Sequence, residues 1–115
     1  MTEIARIKQS MERPCFLLCF FGERERNRLA ARGNPPSSVA AAFCAKEAFS
    51  KAIGTGISGF SLREVELLSG DNGKPFLAFT GRAAAIVKEG GWRFDVSVTH
   101  TREIAAVAVV AYKEN

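Results

Sequence analysis

The run from Ile104 to Tyr112 is almost wholly apolar. Nothing else limits the fold so tightly, because a strand with no polar face is expected at the centre of a sheet, covered on both sides. The preceding stretch, Trp92 to Thr99, alternates instead, with Phe94, Val96 and Val98 on one face, as a half-buried strand does. Leu62 to Leu68 also alternates, setting Val65 and Leu67 against Glu64 and Glu66. Asp71-Asn72-Gly73-Lys74-Pro75 is a strong turn signal that leads into a further strand from Phe76 to Phe79. Gly81 then introduces a short helix from Arg82 to Glu89, and Gly90-Gly91 stops it.

The first half of the chain is helical in character. Glu3 to Met11 has helical potential but few core partners, and Phe16 to Phe21 reads either as a short buried strand or as a helix start. Glu23 to Arg32 is rich in good helix formers until Gly33-Asn34-Pro35-Pro36 ends it. Ser37 or Ser38 is placed to cap the next helix, predicted from Val39 to about Ile53. Val39, Phe43, Phe49 and Ile53, with Ala42 between them, give that helix an apolar stripe, and Gly54-Thr55-Gly56 closes it. Helices followed mostly by strands define the α+β class, an antiparallel sheet packed against helices. The length of 115 residues suits one domain spanning 1–115.

The formal charge is +4, and the basic excess falls early, where Arg24, Arg26, Arg28 and Arg32 join Arg6, Lys8 and Arg13. Such a surface favours an acidic partner, although Glu23 and Glu25 alternate with the arginines as on a solvated helix. Nucleic acid is disfavoured, since the aromatics are mostly phenylalanines at core-like spacing and do not interleave with the basic residues. Cys15, Cys19 and Cys44 match neither a zinc ribbon nor a thioredoxin motif, and read as free thiols of a reducing cytoplasm. The apolar run Phe16 to Phe21 is far shorter than the roughly 20 residues of a membrane span, so no membrane is expected.

Two constellations can carry chemistry. On the long helix Phe43, Glu47 and Lys51 recur every fourth residue, so Glu47 and Lys51 share a face while Lys46 lies about 100° away. Alone this is a routine helix ion pair. A glycine loop directly after Lys51 lets a ligand approach the backbone, the ammonium suits a phosphate, and a carboxylate beside that phosphate suits magnesium. The second constellation is Ser97-Val98-Thr99-His100-Thr101 at a strand end, with the chain's single histidine among hydroxyl residues that can donate to phosphate oxygens. Lys74 is by default the exposed tip of a hairpin.

Taken together, Lys-Glu-Ala-Phe-Ser-Lys-Ala before Gly-Thr-Gly, the later Asn-Gly-Lys-Pro and Ser-Val-Thr-His-Thr resemble the holo-acyl-carrier-protein synthases, a branch of the 4'-phosphopantetheinyl transferases. The resemblance implies a magnesium-dependent transfer of the phosphopantetheine arm of coenzyme A to a serine of apo acyl carrier protein, in fatty acid biosynthesis. It also implies a cytoplasmic homotrimer with active sites between subunits. By position it makes Glu47 the metal ligand and catalytic, with Lys51 and His100. Lys46, Lys51, Gly54, Gly56, Lys74, Pro75, His100 and Thr101 are the implied coenzyme A contacts, and Arg6 and Arg13 the implied carrier-protein contacts. Glu47, a metal-bound water or His100 would take the serine proton. In similar sequences a second metal-binding aspartate lies three positions before the glutamate matching Glu3, within an initial strand. This chain starts at Met1, so a sheet without that strand is expected. The other reading is a basic binding module, or an inactive form, that holds coenzyme A or an acidic carrier without turnover.

Overall fold

The computed structural model describes residues 1–54 and 59–113. Apart from a two-residue opening strand, the expected order of helices before most strands is what forms. A two-residue strand β1 (Thr2–Glu3) leads into helices α1 (Ile4–Ser10), α2 (Phe16–Phe20), α3 (Glu23–Ala31) and α4 (Pro36–Ala52). A single 3-10 turn, Leu62–Glu64, then precedes β2 (Val65–Ser69), β3 (Pro75–Phe79), α5 (Gly81–Gly90), β4 (Trp92–His100) and β5 (Ile104–Lys113). The run after Pro14 is thus resolved as a helix start, not a strand.

The strands form two antiparallel sheets rather than the one expected, β1-β5-β4 and the hairpin β2-β3. The expected absence of an initial strand needs correcting. Thr2 pairs with Ala105 and Glu3 with Ile104, so a stub of strand occupies the edge of β5.

α4 begins three residues before the expected start. Pro36 takes its first position, where a fixed φ and a missing N–H carry no penalty, and no serine side chain caps it. At the other end Gly54, at φ 79, adopts the left-handed conformation that closes a helix. One side of α4 packs into a cluster that includes Phe16, Phe21, Leu29, Leu67 and Ala105. Its last turns bury Phe49 against the rings of Phe60, Phe79 and Phe94, with centroids 5.4, 5.1 and 5.2 Å away.

β5 departs from expectation in a way that bears on assembly. Ala105 is buried and Val107, on the same face, packs against the core, but Val110 and Tyr112 are 58% and 41% exposed. An unbroken apolar run tells only that water is unwelcome on both faces. In this sheet the helices cover just one of them.

Between α3, α4 and β2 lies a buried polar network. Lys46 and Glu25 are both 0% exposed, and the Lys46 ammonium donates to Glu25 Oε1 at 2.5 Å and also to the Val65 carbonyl. Glu25 Oε2 accepts the Leu67 N–H at 2.8 Å, and Glu66 Oε2 accepts the Glu25 N–H at 2.8 Å, which satisfies a free donor in the first turn of α3. The Phe21 ring lies 5.0 Å from the ammonium. Burial pushes the Glu25 carboxyl up and the Lys46 ammonium down, and their mutual attraction opposes both shifts. Gly22 packs directly on the Glu66 carboxylate, where an added Cβ would sit 2.5 Å from its atoms.

Candidate functional site

Glu47 follows Lys46 by one residue, and the helix therefore turns it about 100° away, out of the core. It is half-buried and lines a cavity of about 330 Å³ with Glu3, Arg6, Ser10, Phe16 and Phe43, among others. α4 contributes Glu47 and Phe43, α1 contributes Arg6 and Ser10, and β1 brings Thr2 and Glu3 to the rim. Arg6 and Ser10 also line an adjoining groove of about 550 Å³ with Arg13 and Pro14. The two expected carrier contacts thus share one groove, and Arg6 also reaches the Glu47 cavity.

The oxygen chemistry of the cavity fits magnesium. Its carboxylates are Glu3 and Glu47, and Thr2 Oγ1, buried with no hydrogen-bond partner, is available beside them. Among the described residues no group of three or more His, Cys, Asp or Glu side chains is placed to hold a metal. The pair Glu3 and Glu47 suits a hard cation that takes one or two carboxylates and fills its remaining positions with phosphate and water.

Lys51 is exposed in the last turn of α4, one turn beyond Glu47, and Gly54 lies just after the helix end. Gly56 lies outside the described residues. His100 ends β4 and pairs with Ala105, which pairs in turn with Thr2. The three form a cross-strand row, placing His100 roughly 10 Å from the β1 edge of the cavity, two strand spacings away. Thr101 closes the β4–β5 turn, its N–H donating to the Ile104 carbonyl at 2.8 Å while its Oγ1 accepts the N–H groups of Glu103 and Ile104.

Lys74 and Pro75 are elsewhere. They line a pocket of about 270 Å³ with Asn72, Phe76 and Asp95. Asp95 is five residues before His100 on β4, roughly 16 Å away along an extended strand. Within one chain the Lys74 pocket and the Glu47 cavity are separate.

Lys46 requires correction. It was expected at the coenzyme, but its ammonium is sealed in the core and engaged by Glu25 and Val65. The signal for this was present in the sequence. Glu25 falls midway between Phe21 and Leu29 at helical spacing, and Lys46 falls between Ala42 and Phe49 on the stripe of α4, so both interrupt apolar faces. Thr2, Glu3 and Ser10 were missed as cavity residues. No spacing rule links them to Glu47, more than thirty residues away.

The family model described as the 4'-phosphopantetheinyl transferase superfamily matches residues 1–108, and the chain belongs to that superfamily. Within it, the chain is 41% identical to a holo-[acyl-carrier-protein] synthase of Caldanaerobacter subterraneus subsp. tengcongensis, over 98% of this chain and 91% of that one. Its fold matches the crystal structure of holo-[acyl-carrier-protein] synthase from Neisseria meningitidis with TM-score 0.90 and 28% identity, covering 97% and 93% of the two chains. It likewise matches the holo-(acyl-carrier-protein) synthase of Bacillus anthracis, solved in complex with CoA (3',5'-ADP), with TM-score 0.79 and 32% identity over 97% and 90%.

Proposed function

We propose that this chain is a holo-[acyl-carrier-protein] synthase, which moves the 4'-phosphopantetheine arm of coenzyme A onto a serine of apo acyl carrier protein and leaves adenosine 3',5'-bisphosphate. The observation that carries this reading is that the Glu47 cavity shares Arg6 and Ser10 with the groove that holds Arg13, in a chain whose relatives bear that name. An acidic carrier docked on the arginines presents its serine to the phosphates held at Glu47.

Glu47, with the oxygen atoms around it, holds magnesium, which when bound neutralises charge on the pyrophosphate. Lys51 contributes a second positive charge from the helix end, stabilising what develops as the serine oxygen attacks the β-phosphorus. His100 and Thr101 receive the remaining phosphate of the coenzyme at the end of β4, and Lys74 and Pro75 its nucleotide end.

The Lys74 pocket lies on the order of 20 Å from the Glu47 cavity within one chain, and our reading is that the complete site combines residues of two copies. The uncovered apolar face of β5 supports the same conclusion, since a surface of this kind is stable when copies pack on it. Our reading of the assembly is a homotrimer with sites between subunits, working in the cytoplasm in fatty acid biosynthesis, as the resemblance to the family implies. No described helix is long and apolar enough to cross a membrane.

The test is incubation with magnesium, coenzyme A and apo carrier protein, followed by weighing the carrier. A mass gain of one phosphopantetheine is expected. Glu47→Gln abolishes it while leaving the melting temperature nearly unchanged, because the half-buried carboxylate faces a cavity, not a core partner. No gain at high enzyme concentration refutes the transferase and leaves a binding module.

A further inference from the structure

The short helix α2 carries a pair of thiols that the transfer reaction does not use. We propose that Cys15 and Cys19 form a reversible dithiol, closed to a disulfide by exchange with a low-molecular-weight disulfide, and that its state is felt at the Glu47 cavity through Phe16 and Phe20.

Both cysteines are exposed, whereas Cys44 is buried. The Cys19 N–H donates to the Cys15 carbonyl at 2.9 Å, so the two residues span one helical turn and their side chains leave the same face. Residues so related have Cα atoms about 6 Å apart, inside the roughly 4.4–6.8 Å range that a disulfide accepts. Hydrogen bonding with the neighbouring Cys15, then burial and the Cys15 charge, push the Cys19 thiol up, and the Arg63 guanidinium opposes the shift.

The route inward is short. Phe16 and Phe20 each follow one of the two cysteines, and their ring centroids lie 6.1 and 6.4 Å from that of Phe43. Phe43 stands one turn before Glu47 on α4, and Phe16, Phe43 and Glu47 line the same cavity. Tightening the α2 turn to the length of a disulfide moves Phe16, which lines that cavity, and Phe20, which packs on Phe43.

The chemistry balances. The Cys15 thiolate attacks one sulfur of the small disulfide, forming a mixed disulfide and releasing one small thiolate. The Cys19 thiolate then attacks the Cys15 sulfur, which closes the protein disulfide and expels the second small thiolate. Two protein thiols are oxidised, one small disulfide is reduced to two thiols, and the protons of the protein thiols pass to the released thiolates.

The experiment treats the reduced full chain with glutathione disulfide over a series of reduced-to-oxidised glutathione ratios, then counts thiols by alkylation and mass spectrometry. Loss of two hydrogens is expected, with Cys15 and Cys19 linked and Cys44 alkylated only after unfolding. Cys15→Ser and Cys19→Ser should each retain glutathione on the remaining exposed cysteine. Deuterium uptake of the peptide spanning Phe43 to Glu47 should change on closure and return with a dithiol reductant. The transfer rate should fall by roughly tenfold or more, as a displacement of ~1 Å near the chemistry would cause. Independent glutathione adducts on both cysteines, disulfides between chains, or no reaction would overturn the dithiol. A closed disulfide with unchanged deuterium uptake and rate would overturn its link to the cavity. Thiol counts and deuterium uptake need no turnover, so absence of transfer in the reduced chain would count only against the function proposed above.

Discussion

Lys46→Met isolates what the buried network contributes. Methionine matches the length and much of the volume of lysine, so the substitution removes the charge with little loss of packing. The Glu25 carboxylate then keeps only the Leu67 N–H, and the Val65 carbonyl loses the lysine as donor. Breaking a buried pair by removing one partner costs about 3–5 kcal/mol. At about 4 °C per kcal/mol, which is the scale for a domain of this size, the melting temperature should drop by roughly 10–20 °C. That is a large share of the about 5–15 kcal/mol that holds such a domain folded. Urea titration followed by circular dichroism should show the midpoint falling with little change in slope. Glu25→Leu removes the other charge, and the double variant should cost less than the two single changes added, by about 2 kcal/mol or more. Below its melting point Lys46→Met should bind coenzyme A as the parent does, since the ammonium faces no cavity. A loss under 1 kcal/mol, or strict additivity of the pair, would refute the network as a stabilising unit.

Other changes separate binding from folding. Lys51→Ala, at an exposed helix end, should weaken coenzyme A about tenfold in calorimetry, the scale of one charge-assisted contact, with no change in melting temperature. Arg6→Ala with Arg13→Ala should raise the KM for carrier protein and flatten its salt dependence while leaving coenzyme A affinity intact. Equal salt dependence in the parent and this variant would remove the arginines from the carrier surface. Burial pushes the Glu64 carboxyl up, but the N–H groups of Ser61, Arg82 and Ala83, with the Arg82 charge, outweigh it and hold the group below the usual carboxylate range. A depressed folded pKa means that this stabilisation is present above the unfolded value of about 4.5 and is lost as pH falls through the folded one. Glu64→Gln should therefore destabilise slightly at neutral pH, the effect being reduced by solvent screening at this solvent-accessible position, and the difference should vanish in acid; a gap that persists at low pH would assign the effect to packing.

The elements were legible because each has a local cause. The alternation of β4, the glycines that close α4 and α5, and the Asn-Gly turn before β3 all act over a few residues, so their physics is written in neighbouring positions. The placement of Glu47 and Lys51 on one outward face followed from helical spacing alone. What escaped is what depends on partners distant in sequence. The roles of Lys46 and Glu25 are set by each other across 21 residues, and a charged residue on an apolar stripe declares its burial only if the interruption is read as a pair. The open face of β5 escaped for another reason. Apolar composition records avoidance of water, not which molecule supplies the cover. The cavity's Glu3 and Ser10 arrive through the fold of α1 and β1 onto α4, a juxtaposition without a local signature.

Gly22 gives the network a consequence at a distance. Its backbone is ordinary, at φ −72, so any residue could adopt its conformation and only space forbids one. A single methyl there would push the Glu66 carboxylate away from the first turn of α3, and Glu25, whose N–H that carboxylate holds, would lose its anchor. Lys46 follows Glu25, and Glu47 is the next residue on the same helix. A substitution that touches no ligand, on a loop 25 positions before Glu47 in the chain, would thus reach the reacting centre as a change in the aim of one carboxylate. Suppressors of such a lesion should arise in β2 and α3 before they arise around the cavity itself.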